Sequence, residues 1–502
     1  DHRDLHSFPT RRSSDLPKSI ALGPHYHTEN PSAILEEQVA KALRQLHGEH
    51  AKFKSQEQKD AVLYSAQGDT DMLVILPTGG GKTAVYMIPI LVEEATKAVT
   101  IIVVPLRALV EDIYRRLAEA SVQAHRLPDI ADNLKGYEGK QVILVSAEEV
   151  VTHRYRVLVT FLHNRGLLRR IIVEESHLVL MWASFRPCMR LFHGALRPAP
   201  VSVPLVLLTA TAPPSLIKKM AYAVGTSAAG MRVVRKETTR RNLSYEVSVF
   251  EQASTLEKLL EALYQVVVSI LRDITQNEKI IIFCPTRAAA DAFGDLVART
   301  RAVAGVVVYH AGLSSDQRQS AHNLWVSRSS PSAKIVRVVI ATAAFGTGID
   351  VPNVRAVIHL GFSGSLVEYM QESGRAGRDG KPARYIVIYN RVFARSHMPS
   401  CTTTRYWPTL DPDLQNSLDQ RDSCFGDFIE WAEDTRGCRK KNLSKFFDGK
   451  SGADCIESGQ TRCDVCERTL RQVFRPDTAQ MMRKAEQKKF SRVPHTDRKS
   501  VV

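Results

Sequence analysis

Residues 72–83 read Met72-Leu73-Val74-Ile75-Leu76-Pro77-Thr78-Gly79-Gly80-Gly81-Lys82-Thr83. Leu73–Leu76 is a short apolar run, the pattern of a buried strand. It passes directly into a glycine-rich turn, and a helical pattern follows from Ala84. Strand, glycine loop, Lys-Thr and helix together form a phosphate-binding design. Glycines let backbone N–H groups face phosphate oxygens, lysine adds a point charge, and the helix N-terminus favours an anion. Thr78, Gly79, Gly80, Gly81, Lys82 and Thr83 are therefore expected to hold a nucleotide, with Lys82 on its β and γ phosphates and Thr83 on Mg²⁺. The strict GxxxxGK[ST] pattern is not met, because Leu76 stands at its first glycine position.

Working outward, short apolar runs recur at Val99–Val104, Val142–Val145, Arg170–Val173 and Leu205–Leu208. Amphipathic stretches such as Ala108–Ala120 separate them. The rhythm pauses near Thr238–Asn242. It restarts at Lys279–Cys284, Ala304–Tyr309, Val336–Ala341, Ala356–His359 and Arg384–Tyr389, with a loop at Ser327–Lys334. Strands alternating with helices predict parallel sheets covered on both faces. After Asn390 the alternation stops, and a cysteine-bearing, mostly helical region follows.

The chain has 502 residues, which at about 150 per domain suggests three domains. It is 44 % hydrophobic and 24 % charged, which excludes a wholly disordered chain. No apolar run reaches the roughly 18–20 residues of a membrane helix. A formal charge of +15 points to a polyanionic partner, with a merely basic surface as the plain alternative. Back-translated, residues 1–16 (DHRDLHSFPTRRSSDL) resemble a sequencing-library adapter, and residues 497–502 (DRKSVV) its reverse complement. Both ends are set apart from fold reasoning, and the native chain is expected within 17–496.

With these motifs in place, the sequence resembles the RecQ-like superfamily 2 DNA helicases over about residues 50–470. PTGGGKT is similar to their motif I. Phe53-Lys54-Ser55-Gln56-Glu57-Gln58 resembles motif 0, whose glutamine reads adenine; Gln58 fits the spacing, with Gln56 as the rival. Val103–Leu109 is similar to motif Ia and implies a DNA-phosphate contact at Arg107. Ile171–His177 sits where the family carries DExH. There the first acid holds Mg²⁺, and the next polarises the attacking water. Here these positions are Glu174 and Glu175, so the metal-holding carboxylate is one methylene longer than the family's Asp, and Mg²⁺ demands tight octahedral geometry. His177, with Thr209 and Thr211 of the Thr-Ala-Thr motif, is implied to couple nucleotide and DNA sites. Met181–Pro187 looks like the aromatic-rich loop of the family, one residue shorter. Its Trp182 and Phe185 suit base stacking and its Arg186 suits a phosphate; core aromatics are the alternative.

The second half continues the resemblance. Ile280–Arg287 is similar to motif IV and Ala341–Asp350 to motif V, implying DNA contacts at Arg287 and Thr342 and ATP contacts at Gly348 and Asp350. Gln371–Gly380 is close to motif VI. It implies a coupling role for Gln371 and places Arg375 and Arg378 on a different lobe from Lys82. Their charge reaches the γ-phosphate only when the lobes close. Of eight cysteines, Cys438, Cys455, Cys463 and Cys466 form a candidate Zn²⁺ set that closes with C-x-x-C. Seven residues separate Cys455 from Cys463, looser than the family's clustering, and a disulfide is the rival. Cys284 reads as a buried thiol.

The expected architecture is α/β, with two tandem RecA-like parallel-sheet domains and a small helical zinc-binding module. The expected boundaries are a helical or linker segment at 17–49, the first domain at 50–237, the second at 238–395, the zinc module at 396–470 and a truncated basic tail at 471–496. The resemblance implies a 3′–5′ DNA helicase using ATP, Mg²⁺ and Zn²⁺ on single-stranded and partly duplex DNA. No membrane is implied, and protein partners are left open. The spellings FKSQEQ, VVPLRALVED, LLRRIIVEESH and LLTATAPP look most like copies from fungal mobile or subtelomeric elements, which implies a nuclear protein if the source is eukaryotic and a cytoplasmic or nucleoid one otherwise. A degenerate copy that binds DNA and nucleotide without productive unwinding is the alternative, motivated by Glu174 and the shortened loop. An RNA-directed helicase is disfavoured by the zinc module.

Overall fold

The computed structural model describes residues 33–93, 98–105, 107–130, 142–183, 186–252, 255–300, 305–326, 336–346, 351–361, 365–391 and 424–473. The first sheet comprises β1 (Met72–Ile75), β2 (Val99–Val104), β3 (Ala124–Arg126), β4 (Val142–Ser146), β5 (Leu168–Val173), β6 (Leu205–Thr209) and β7 (Arg232–Arg235), in the order β3-β4-β2-β5-β6-β1-β7. The second comprises β8 (Leu243–Val249), β9 (Lys279–Phe283), β10 (Val306–Tyr309), β11 (Val338–Ala341), β12 (Val354–Leu360) and β13 (Ala383–Tyr389), in the order β10-β11-β9-β12-β13-β8. Every strand pairing is parallel.

Alternate residues of one strand point to opposite faces. Leu73 and Ile75 accordingly enter one core, while Met72, Val74 and Leu76 enter another on the far side. In the second sheet Ile281 and Phe283 part company with Ile280 and Ile282 in the same way. Both sheets are thus buried on both faces, the arrangement that unbroken apolar strands require.

The cysteine-bearing region packs on the second sheet. Its helices are Cys424–Glu433, Arg439–Asp448 and Asp464–Val473. Phe428 and Trp431 pack against Tyr369 at centroid distances of 4.7 and 4.8 Å, and the four candidate zinc-binding cysteines belong to the same core as Tyr245 and Tyr385. Buried Arg439 fastens the first helix to the third through Asp464 at 3.0 Å and stacks over Trp431.

One buried charge ties the glycine loop's helix to the strand that carries the acidic residues. Arg170 on β5 is fully buried. It donates to both carboxylate oxygens of Glu93, which follows the helix Ala84–Val92, and to Thr100 Oγ1 on β2 at 3.2 Å. Removing one partner of a buried pair strands the other charge in low dielectric. Glu93→Ala is therefore expected to destabilise the first lobe by about 3–5 kcal/mol in chemical denaturation. The double variant with Arg170→Leu should recover most of that loss.

Candidate nucleotide and nucleic-acid site

β5, β6 and β1 are neighbours in the first sheet, so the segments leaving their carboxyl ends meet. These segments carry Glu174–His177, Thr209–Thr211 and the loop 77–83. Backbone hydrogen bonds fasten them to one another. Leu76 N donates to Thr209 O at 3.1 Å, and Ser176 N to Leu208 O at 2.8 Å.

A cavity of about 780 Å³ opens there. Gln58, Gly79, Gly81, Lys82, Thr83, Glu174 and Glu175 line it from the first lobe, and Arg378 from the second. Gly79 and Gly81 have φ of +79° and +85°, a region in which L residues are strained. A Cβ on Gly81 would also lie 2.1 Å from Gln58 Nε2. Gln58 is buried, accepts from Lys54 N at 2.7 Å and donates to Gly81 O at 3.1 Å. Gln56 is exposed and bonds Asp60 instead. Of the two candidate glutamines, Gln58 is the one at the cavity. Thr78 lies at the seam with the second lobe, where a Cβ on Gly374 would meet its Oγ1 at 2.5 Å.

Glu174 is buried, and its carboxyl is pushed up to about 7, first by burial and then by Glu175. Lys82 and the Tyr86 hydroxyl act in the opposite sense. Two adjacent carboxylates beside Lys82 and the Thr83 hydroxyl are a donor set suited to a hard divalent cation, and Thr83 with Glu174 would hold Mg²⁺ there. Glu175 adopts φ +43°, a strained conformation for a side chain of its size, and among the described residues its buried Oε2 has no hydrogen-bond partner, His177 Nδ1 lying 3.5 Å away.

From Glu175 a polar chain leads to the second lobe. His177 Nδ1 lies 3.5 Å from Glu175 Oε2 and 3.0 Å from Thr209 Oγ1. Thr209 Oγ1 accepts from Thr211 N at 3.1 Å, and Gln371 Nε2 donates to Thr211 Oγ1 at 2.8 Å. Burial keeps His177 below its ordinary pKa, favouring the neutral ring. Gln371 sits on the helix Leu366–Ser373, which leads into Arg375 and Arg378. Arg375 is lowered to about 10 by burial and then by Arg378, while Glu372, Glu175 and Tyr385 raise it. Its Nε has no hydrogen-bond partner among the described residues.

The expected DNA contacts are more scattered. Exposed Arg287 and half-buried Thr342 follow β9 and β11, which are neighbours in the second sheet. Arg107 opens the helix Arg107–Glu119, and its side chain lies outside the described residues. Trp182 is half-buried against the first core, with the Arg186 guanidinium 4.9 Å over its ring. Arg186 also donates to Pro105 O and pairs with Glu148 at 3.2 Å. The expectation of a phosphate-facing arginine beside a base-stacking indole is thus met by a side chain already bonded within the protein. Phe185, Gly348 and Asp350 lie outside the described residues.

The chain matches the family described as DEAD/DEAH box helicase over residues 55–220, and the helicase conserved C-terminal domain over 258–380. The RecQ-like DNA helicase blm-1 of Caenorhabditis elegans is 29 % identical over 427 residues, 82 % of this chain. The ATP-dependent DNA helicase hus2/rqh1 of Schizosaccharomyces pombe is 30 % identical over 439 residues, 84 % of this chain. The two matched domains and these relatives support a RecQ-like superfamily 2 helicase. This chain spans 40 % and 30 % of the lengths of those two relatives. The fold is similar to that of the DEAD-box helicase Mss116 bound to ssRNA and UDP-BeF, with a TM-score of 0.55 and 16 % identity, covering 72 % of this chain and 74 % of that one.

The Sγ atoms of Cys438, Cys455, Cys463 and Cys466 all lie within 4.8 Å of one another, and all four residues are buried. Cys438 and Cys455 are 3.4 Å apart, far beyond a disulfide bond. Four thiolates around Zn²⁺ at ~2.3 Å require S···S separations of about 3.8 Å. The donor set therefore fits Zn²⁺, and Cys455 belongs to it despite its spacing. Among the described residues no helix is long and apolar enough to cross a membrane. Elemental analysis of purified protein should give about one zinc per chain. Cys455→Ser should reduce that to well under one, and stoichiometric zinc in the variant would remove Cys455 from the ligand set.

Proposed function

We propose that this RecQ-like chain is an ATP-dependent DNA helicase that hydrolyses ATP between its two lobes and moves 3′ to 5′ along a single strand. The observation that carries this reading is the shared cavity. Lys82, Glu174 and Glu175 come from one sheet and Arg378 from the other, yet all line the same space. In this reading Gln58 contacts adenine, the loop 78–83 cradles the phosphates, and Gly348 and Asp350 complete the nucleotide contacts. Mg²⁺ held by Thr83 and Glu174 would neutralise charge on the β and γ phosphates when bound. Glu175 accepts the proton of the attacking water, for which its unpartnered Oε2 is suited. Arg375 and Arg378 counter the charge that develops on the transferred group.

Hydrolysis removes the anion that draws the arginines toward Lys82. The lobes then separate, and the chain Glu175–His177–Thr209–Thr211–Gln371 conveys the change to the DNA-facing segments. DNA is proposed to run over Arg107, Trp182, Phe185 and Arg186 on the first lobe and Arg287 and Thr342 on the second. The relatives' names support DNA over RNA, and the zinc-binding set supports the same choice. Within a eukaryotic cell the proposed location is the nucleus.

The test is the steady-state ATPase rate with and without single-stranded DNA. DNA is expected to raise the rate, and Glu175→Gln to lower kcat by at least about 100-fold while nucleotide still binds. A wild-type rate no higher than the Glu175→Gln rate, in folded and zinc-loaded protein, would contradict the reading. Equal stimulation by RNA and DNA would contradict the choice of DNA.

A further inference from the structure

The segment joining the two sheets, residues 236–242, does more than connect them. Arg240 is a partly buried arginine on this strap, and its Nη2 donates to Ala376 O. Asn242 Nδ2 donates to Gly377 O and to Lys381 O, each at 2.8 Å. The Asn242 carbonyl accepts from Ala383 N at 3.0 Å. Ala376 and Gly377 are the two residues that separate Arg375 from Arg378. Both of their carbonyls are therefore held by side chains of the strap. Gly377 has φ +57°, and a Cβ there would lie 2.6 Å from Asn242 Nδ2, so the turn and the asparagine fit only with glycine at that position.

The strap is itself held from behind. Lys440 Nζ and Thr461 N both donate to Arg241 O, at 3.1 and 3.0 Å. Thr239 Oγ1 meets Ser444 Oγ at 3.2 Å, and Asp448 accepts from Thr238 Oγ1 at 2.7 Å and from Thr238 N at 3.1 Å. Arg235 at the end of β7 donates to Phe447 O and Ala212 O, each at 2.6 Å. The residues on either side of Arg240 are thus anchored to the helix that begins at Cys438. On its open side, Arg240 lines a narrow cavity at the seam with Thr78, Thr211, Tyr245 and Gly374.

We infer that Arg240 and Asn242 are positioning residues for hydrolysis, holding the turn between Arg375 and Arg378 so that both guanidinium groups face the nucleotide cavity. This rests on the reading of Arg375 and Arg378 as the charges supplied to the nucleotide across the lobes. Neither strap residue needs to touch the nucleotide. Each fixes a peptide carbonyl, beside the turn's own bonds from Gly377 N to Val354 O at 2.8 Å and from Gly380 N to Gly377 O at 3.1 Å. Because the strap is also the covalent link between the lobes, movement of one lobe against the other is delivered to the arginine-bearing turn. An error of an ångström in such a group is enough to cost turnover without costing binding.

The test is a double-mutant cycle on the DNA-stimulated ATPase of the whole chain, alongside ADP affinity, DNA affinity and thermal unfolding. Arg240→Ala and Asn242→Ala are each expected to lower kcat about tenfold, with KM for ATP, ADP affinity and DNA affinity changed less than about twofold. Arg240→Lys should regain part of the loss, since it can still donate to Ala376 O. The decisive comparison adds Arg240→Ala to a variant that already carries Arg375→Ala and Arg378→Ala. If Arg240 acts through those two arginines, the combined variant is no slower than the Arg375→Ala, Arg378→Ala variant alone. Multiplicative losses, or a loss that appears in KM and ADP affinity, would overturn the inference and leave a scaffold role. So would a wild-type kcat in both strap variants. Should Arg240→Ala fail to fold, Asn242→Ala carries the same cycle. Absence of ATPase in the wild-type chain would overturn the underlying reading instead, an outcome distinct from an active wild type with unaffected variants.

Discussion

Two adjacent carboxylates, Glu174 and Glu175, leave the end of one buried strand and share a cavity with Lys82. The site is built around that pair. Burial first, and then the neighbouring Glu175, raises the Glu174 carboxyl to about 7. A nucleotide brings further negative charge into the same space. The cations lining that space are Lys54, Lys82, Arg115 and Arg116 from the first lobe and Arg378 from the second, to which a divalent metal would add. In the proposed reading the nucleotide bridges two sheets that have separate cores and already meet at Gln371 and Thr211.

The parallel sheets explain why this is possible. Adjacent strands deliver their following loops to the same edge, so β1, β5 and β6 supply the glycine loop, the acidic pair and the threonines without long-range coincidence. The second lobe delivers Arg375 and Arg378 from a helix end, and Gln371 one turn earlier reaches Thr211. The cysteine-bearing helices are not a distant appendage. They share a core with Tyr369 and Tyr385 and grip the strap that joins the lobes. A zinc-binding set placed there stabilises the segment on which the relative placement of the lobes depends.

Much of this was legible in the sequence, for identifiable reasons. β1, β4 and β6 are almost wholly apolar because both of their faces are covered, and β2 and β5 each carry an apolar run after Thr100 and Arg170, so all five announce themselves. β3, β7 and β8 were missed. β3 has three half-buried residues, Arg232 and Arg235 bracket the two valines of β7, and β8 mixes Ser244, Tyr245 and Glu246 at a sheet edge. Their pairing depends on neighbours far along the chain. The glycine loop and the choice of Gln58 over Gln56 follow from local spacing. Cys455 was harder, since its long separation from Cys463 is bridged by a turn that spacing does not reveal. The bonds of Arg186 to Pro105 O and Glu148 involve segments distant in sequence, which spacing around the aromatic loop does not reveal. Arg240 and Asn242 carry no motif of their own, because what they recognise is the backbone of another segment.

The central claim is that nucleotide draws the two lobes together. Its direct measurement is the distance between dyes placed on exposed Val157 of the first lobe and exposed Thr300 of the second, read by single-molecule energy transfer. A non-hydrolysable ATP analogue with Mg²⁺ and single-stranded DNA should shift the population to a shorter distance, and Arg378→Ala should abolish the shift. An unchanged distance distribution in protein shown to have bound the analogue would contradict the account.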